Sequence, residues 1–186
     1  MLKPILFFGT LAGLALAAFG WLIFSLCFNG HISLGQTTTF GYAGMLIALS
    51  MIFFGIRSYR DRKGGGRVSF WKAVQIGLMI TLVASAIHSA GYQAYQIWNP
   101  DFREFYYQKF TEHLVGELEQ PATQEAIDGI KRQLSMIRTI SETPLLTFVF
   151  SVATLLPVGI IVTFISAFIL RDRKDQTEQR RDGSET

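Results

Sequence analysis

The sequence predicts an all-α, polytopic membrane protein: four transmembrane helices with a short extracytoplasmic helical hairpin between spans three and four. Three observations carry that prediction. Four apolar runs each approach or exceed the ~20 residues with which an α-helix, rising 1.5 Å per residue, crosses a hydrocarbon core of ~30 Å. Every Lys, Arg, Asp and Glu lies near the start of the chain or in the windows 57–72, 101–142 and 171 onward. Between the third and fourth runs, apolar residues recur at helical spacing in a segment, 99–144, that holds eight acids against five bases. Overall composition says less, because 49% hydrophobic residues is ordinary for a globular chain. The 17% of charged residues falls below the roughly 25% of soluble proteins.

Span one is expected over about 5–28, starting from "ILFFGTLAGLALAAFGWLIF". Its "ALAA" at 15–18 has the small residues of a signal-peptidase site. The apolar run continues to Phe28, however, past an h-region of roughly 7–15 residues, so the span is expected to be retained. Span two, about 38–57, is the shortest, and span three, about 73–98, the most polar. Two outer helices are expected over about 100–119 and 123–141. The first sets Phe102, Phe105, Tyr106, Phe110, His113 or Leu114, and Leu118 along one side, with Asn99 as N-cap and Pro100 in the first helical position. The second starts at a Thr123 cap and aligns Ile127, Ile130, Leu134 and Ile137. Such helices bury their stripes on one another or on the outer leaflet, or else cap a ligand cavity between the spans or form a docking surface for a periplasmic partner. Span four follows over about 145–170. Residues 1–174 thus form the membrane domain, and 175–186 are read as a charged, disordered cytoplasmic tail.

Cytoplasmic loops are enriched in Lys and Arg. The 29–39 connection has neither, whereas "RSYRDRKGGGRVSFWK" at 57–72 carries Arg57, Arg60, Arg62, Lys63, Arg67 and Lys72, and the tail from Arg171 carries five more bases. The connection between spans two and three is therefore expected in the cytoplasm, with both termini. Those six bases are topology determinants and contacts for lipid headgroups, and membrane lipid is the first partner expected. The stretch is not a Walker loop, which requires Gly, four residues, then Gly-Lys-Ser/Thr to wrap a phosphate in backbone N–H groups. Its glycines supply a turn. Ser69 then caps span three, with Trp71 at headgroup level. The net charge of +3 does not point to nucleic acid, because the bases sit at span ends.

Within the spans the one ionisable side chain of note is His88, with Thr81, Ala84 and Ser85 on the same helical side. Gly77, Thr81, Ser85 and Ser89 recur every fourth residue, as close helix packing in lipid requires. A neutral His88 bonded to a neighbouring span is the plainer reading, and a proton-sensing or substrate-contacting His88 the sharper one. Gly9, Gly13 and Ala17 in span one, and Gly44 and Ala48 in span two, favour close crossings within one bundle or between subunits. Pro157 removes a hydrogen bond to Ala153 and is expected to kink span four. One cysteine, Cys27, leaves no intramolecular disulfide and no Cys-based zinc motif. His113 and Glu117 are four apart on a helix, but with no third neutral ligand they read as a solvated acidic side. No metal or other cofactor is implied.

The order of these pieces, "GYAGMLIALSMIFFGIRSYRD", "GGGRVSFWKAVQIGLMITLVAS", an outer stretch opening "NPDF", and "LLPVGIIVTFISAFIL" followed by bases, resembles a family of small bacterial membrane proteins, domain of unknown function 4199. The resemblance runs to about Lys174. It implies a bacterial inner-membrane protein with four helical spans and carries over no activity, substrate or cofactor. The expectation for function is then a non-enzymatic protein that organises membrane or binds partners, alone, as a homo-oligomer or with another membrane protein. The alternative is a small transporter or channel component with its path near His88 and Pro157. An intramembrane enzyme would need convergent catalytic groups, and His31, His88 and His113 are scattered.

Overall fold

A computed structural model describes residues 2–116 and 123–171. Glu117, Leu118 and the tail 175–186 lie outside them. Seven helices are described: α1 (Leu2–Phe28), α2 (Leu34–Leu49), α3 (Met51–Arg62), α4 (Phe70–Trp98), α5 (Asp101–Gly116), α6 (Gln124–Glu142) and α7 (Pro144–Leu170). All regular structure among the described residues is helical. Four helical stretches are long and apolar enough to cross a membrane, namely α1, the α2–α3 pair, α4 and α7. Their outward sides carry exposed Leu6, Phe7, Leu14, Ile161, Phe164 and Phe168, which suit lipid and not water. The chain is a helical, multi-pass membrane protein.

α4 is the central helix, packed on both α1 and α7. α1 runs parallel to it. A side chain at Gly9 would meet Val83, one at Gly13 would meet Ile87 and Ala84, and Ala17 fills the space beside Gly91. The Gly9, Gly13, Ala17 ridge therefore serves a crossing inside the chain. α7 runs antiparallel to α4 in a reciprocal fit: Gly77 receives Thr163 and Gly159 receives Thr81. Small residues let the two backbones approach, and the added van der Waals contact replaces the hydrophobic drive that lipid removes. Gly44 similarly accepts the Phe19 ring of α1, and Gly55 accepts Ile80.

Several element ends differ from expectation. Ser33 and Gln36 close a capping box at the start of α2, the side chain of each taking the backbone N–H of the other. The helix thus begins at Leu34, ahead of the expected 38, and the connection after α1 is short. The same span is interrupted at Ser50, whose hydroxyl donates to Ile47 O at 2.6 Å. α7, by contrast, is helical without interruption through Pro157. Asn99 does not cap α5: its side chain turns back to donate to Tyr95 O, and Pro100 lies in the turn before Asp101. Thr123 does cap α6, accepting from Ala126 N at 3.3 Å. Ser69 stands at the α4 N-cap but gives no side-chain cap bond.

Candidate functional site

Two places in the bundle gather the chemistry that the sequence distributes. The first is the end of the molecule where α3 passes to α4. α3 continues to Arg62, so Arg57, Arg60 and Arg62 stand on a helix and not in a loop, with Lys63 as its C-cap. The three glycines form a hydrogen-bonded turn: Gly64 N donates to Tyr59 O, Gly66 N to Arg60 O, and Arg67 N to Gly64 O. Gly65 and Gly66 have φ of +58° and +81°, which L side chains rarely adopt and glycine adopts without strain. This turn fixes where the bases point. Asp61 pairs with Arg60 at 2.8 Å and with Arg57 at 3.6 Å, offsetting two of the six charges. Lys72 donates to Gln75 at 3.5 Å, and Trp71 beside it is exposed. Arg171, beyond α7, lies over the Phe168 ring at 4.3 Å. Of the other three bases, Arg62 and Lys63, with Lys3 of α1, line one pocket of about 370 Å³ that also touches Phe7 and Phe8, and Arg67 is not part of it. The pairing of Lys3 with the 57–72 stretch has no sequence signal, because it depends on α1 lying against α3.

The second place lies toward the other end, under α5 and α6. An aromatic cluster ties α5 to the spans: Phe102 is almost wholly buried, edge-on to Tyr95 at 4.8 Å and tilted against Phe24 at 5.2 Å. Trp21 Nε1 donates to Gly91 O at 2.8 Å, locking α1 to α4 at the same level. Arg103 donates to Gln96 at 2.9 Å. The expected stripes of both outer helices face inward, with Phe105, Tyr106, Phe110, Leu114, Ile127, Ile130 and Ile137 at least partly covered and Leu134 buried. Below them a cavity of about 300 Å³ is bounded by Phe24, His88, Tyr106, Ile140, Ser151 and Leu155, among others. Tyr92, also on its wall, interacts with the Ser141 side chain of α6. The Tyr106 phenol is pushed up to about 12, chiefly by burial, with Tyr92 and Cys27 adding to the shift.

The intramembrane residues singled out from the sequence part company here. Thr81 and Ser85 are buried, but each hydroxyl donates to its own helix, Thr81 to Gly77 O at 3.0 Å and Ser85 to Thr81 O at 2.8 Å. They are packing residues on the α4–α7 seam. Of the residues singled out in α4, His88 borders the cavity and Thr81 and Ser85 do not. The expected bond from His88 to a neighbouring span is not made: its Nδ1 is buried without a hydrogen-bond partner. Pro157 is exposed on the outward side of α7 and does not border the cavity. Ser141, Ser151 and Thr154, the wall from α6 and α7, were not anticipated; small hydroxylated residues on one side of α7, at 147, 151 and 154, are the available signal. Among the described residues, no group of three His, Cys, Asp or Glu side chains could hold a metal ion.

Neither a curated protein nor a solved structure matches the chain. Residues 7–172 match the family described as "Protein of unknown function (DUF4199)", and over that span, which takes in all four apolar stretches nearly whole, the chain belongs to that family.

Proposed function

We propose that the protein is a non-enzymatic component of a bacterial inner membrane, with its N-terminus and the end of α7 in the cytoplasm, and that it organises the membrane by holding anionic lipid on its cytoplasmic side. The observation that carries this reading is the pocket where Lys3, Arg62 and Lys63 meet over Phe7 and Phe8. Three bases suit a phosphate, and the two rings beside them suit the first part of an acyl chain. Basic pockets between membrane helices on the cytoplasmic side bind acidic headgroups for this reason, each cation contributing ~1 kcal/mol near an anionic surface. Arg57 and Arg60, partly offset by Asp61, add a weaker and less directed field.

The test is lipid selectivity. Protein extracted into detergent from vesicles of equal phosphatidylglycerol and phosphatidylcholine should retain the former in excess, as counted by native mass spectrometry. Lys3→Gln, Arg62→Gln and Lys63→Gln should each lower the enrichment by about fivefold, the factor equivalent to ~1 kcal/mol, and 0.5 M salt should lower it further. Equal retention of the two lipids by the unaltered chain would remove the proposal.

One observation favours a second reading, a transporter component: His88 borders a cavity. Against it, Gly77 with Thr163 and Gly159 with Thr81 close the α4–α7 seam on the basic side of that cavity. Pro157 also stands off the wall.

A further inference from the structure

We infer that the cavity beneath α5 and α6 is a binding site for an uncharged, membrane-soluble molecule with an apolar body and a single hydroxyl or carbonyl oxygen, and that this oxygen bonds the His88 imidazole. The inference is independent of the lipid pocket at the basic end.

Four features specify the ligand. The wall is built from rings and branched aliphatic side chains, with Phe24, Tyr106, Phe110, Ile137 and Leu155 among them, which selects an apolar body. Among the described residues no Lys, Arg, Asp or Glu borders the cavity, so an ionised headgroup would lose its water and gain no counter-charge from its wall. That excludes a phosphate, a carboxylate or an amine and separates this site chemically from the other. His88 contributes to the wall and has a buried ring nitrogen with no protein partner, whereas Thr81 and Ser85 on the same helix are satisfied by their own backbone. A neutral imidazole offers one donor and one acceptor, so a hydroxyl or a carbonyl oxygen can satisfy it. Finally, Ile140 and Phe150 border both this cavity and a groove of about 400 Å³ on the outward side of α6 and α7, where Met136 and Val149 are exposed. The two spaces share a wall where α6 meets the apolar α7, the side from which a membrane-dissolved molecule would enter. A volume of about 300 Å³ lies at the small end of ligand pockets, which run from roughly 300 to 1,000 Å³. The site therefore takes a single ring or a short chain, not a whole phospholipid.

The experiment is photolabelling of the full chain in phospholipid nanodiscs with two reagents, 1-decanol and decyl sulfate, each bearing the same diazirine near the end of the chain. The alcohol should label peptides covering residues 137–155, excess unmodified 1-decanol should compete, and the sulfate should leave that segment unlabelled. His88→Leu should lower the alcohol labelling about fivefold, the factor that one hydrogen bond of ordinary strength contributes. Thr154→Phe, which places a ring in the cavity from a partly exposed position on α7, should abolish it even if His88→Leu proves unstable. Equal labelling by the two reagents, labelling that survives Thr154→Phe, or no competed labelling of 137–155 would each overturn the inference. None of these outcomes bears on phosphatidylglycerol retention at Lys3, Arg62 and Lys63.

Discussion

At the scale of single residues, the glycines divide into those that define a helix crossing and those that only permit a helix. Gly13 is of the first kind: a β-carbon there would lie 2.7 Å from Ile87 Cβ and 3.0 Å from the Ala84 carbonyl oxygen. The oxygen belongs to the α4 backbone and cannot rotate away, so relief requires α1 and α4 to separate. Gly41, in the interior of α2, has nothing within 4 Å of that position. Gly13→Ala should therefore destabilise the protein by ~1–3 kcal/mol, the usual cost of overpacking. Gly41→Ala should be neutral or stabilising by up to ~1 kcal/mol, through the helix preference of alanine. Thermal unfolding in one detergent decides this, and a Gly13→Ala protein as stable as the parent would show that the α1–α4 crossing is misassigned. The Gly9, Gly13, Ala17 spacing was legible as a crossing. Its partner was not, because α1 pairs with α4, two spans away in sequence, and a small-residue ridge names no recipient. The same limit applied to His88: its depth in span three was readable, while its lack of a hydrogen-bond partner depends on which side chains the other helices bring to it.

At the scale of elements, α5 is held by its aromatic side against the ends of α1 and α4, and Tyr106 reports on that contact. Its phenol titrates at about 12 in the folded protein against 10.0 for an unperturbed one, principally because burial penalises the phenolate. A group whose folded value is raised contributes stability that is fully present below the unfolded value and is lost as pH rises through the folded one. The docking of α5 should accordingly be insensitive to pH up to about 10 and weaken between 10 and about 12. A spectrophotometric titration at 295 nm should show a tyrosine ionising in that upper range, and Tyr106→Phe should remove that step. An upper step that survives Tyr106→Phe, with the amplitude lost near pH 10 instead, would mean that α5 leaves the ring open to water. The outer helices were legible as elements because their apolar spacing is helical and Thr123 is a strong cap. The start of α2 was drawn at about 38, four residues late, although Ser33 and Gln36 are a recognisable capping pair, since hydropathy set the boundary. Pro157 and Ser50 invert a simple rule. Proline inside α7 is accommodated without interruption, while a serine that bonds back to Ile47 O coincides with the break between α2 and α3.

At the scale of the whole molecule, orientation follows from where charge can be left during insertion. The end carrying Lys3, Arg57, Arg60, Arg62, Lys63, Arg67, Lys72 and Arg171 opposes the end carrying α5 and α6, where acids outnumber bases. Moving a Lys or Arg through the centre of a bilayer costs ~2.5–3.5 kcal/mol on insertion scales, so the reading requires the basic end to stay in the cytoplasm. The α5–α6 end must then be exposed outside the membrane. Cys27 is buried, so single cysteines can be placed in a Cys27→Ala background. Gln108→Cys, on the exposed side of α5, should react in intact cells with a membrane-impermeant maleimide. Gly65→Cys, in the turn after α3, should react only once the inner membrane is opened. The Gly65 site carries a left-handed backbone cost of ~1–2 kcal/mol, small enough for labelling to be read provided abundance is matched. Changing Arg57, Arg60, Arg62 and Lys63 together to Gln should produce a fraction of molecules with the pattern reversed, because what remains on that side is weaker and closer to the tail. Labelling of Gly65→Cys in sealed cells would invert the molecule. The Lys3, Arg62, Lys63 pocket would then face the other leaflet, and the cavity at His88 would open toward the cytoplasmic half of the bilayer.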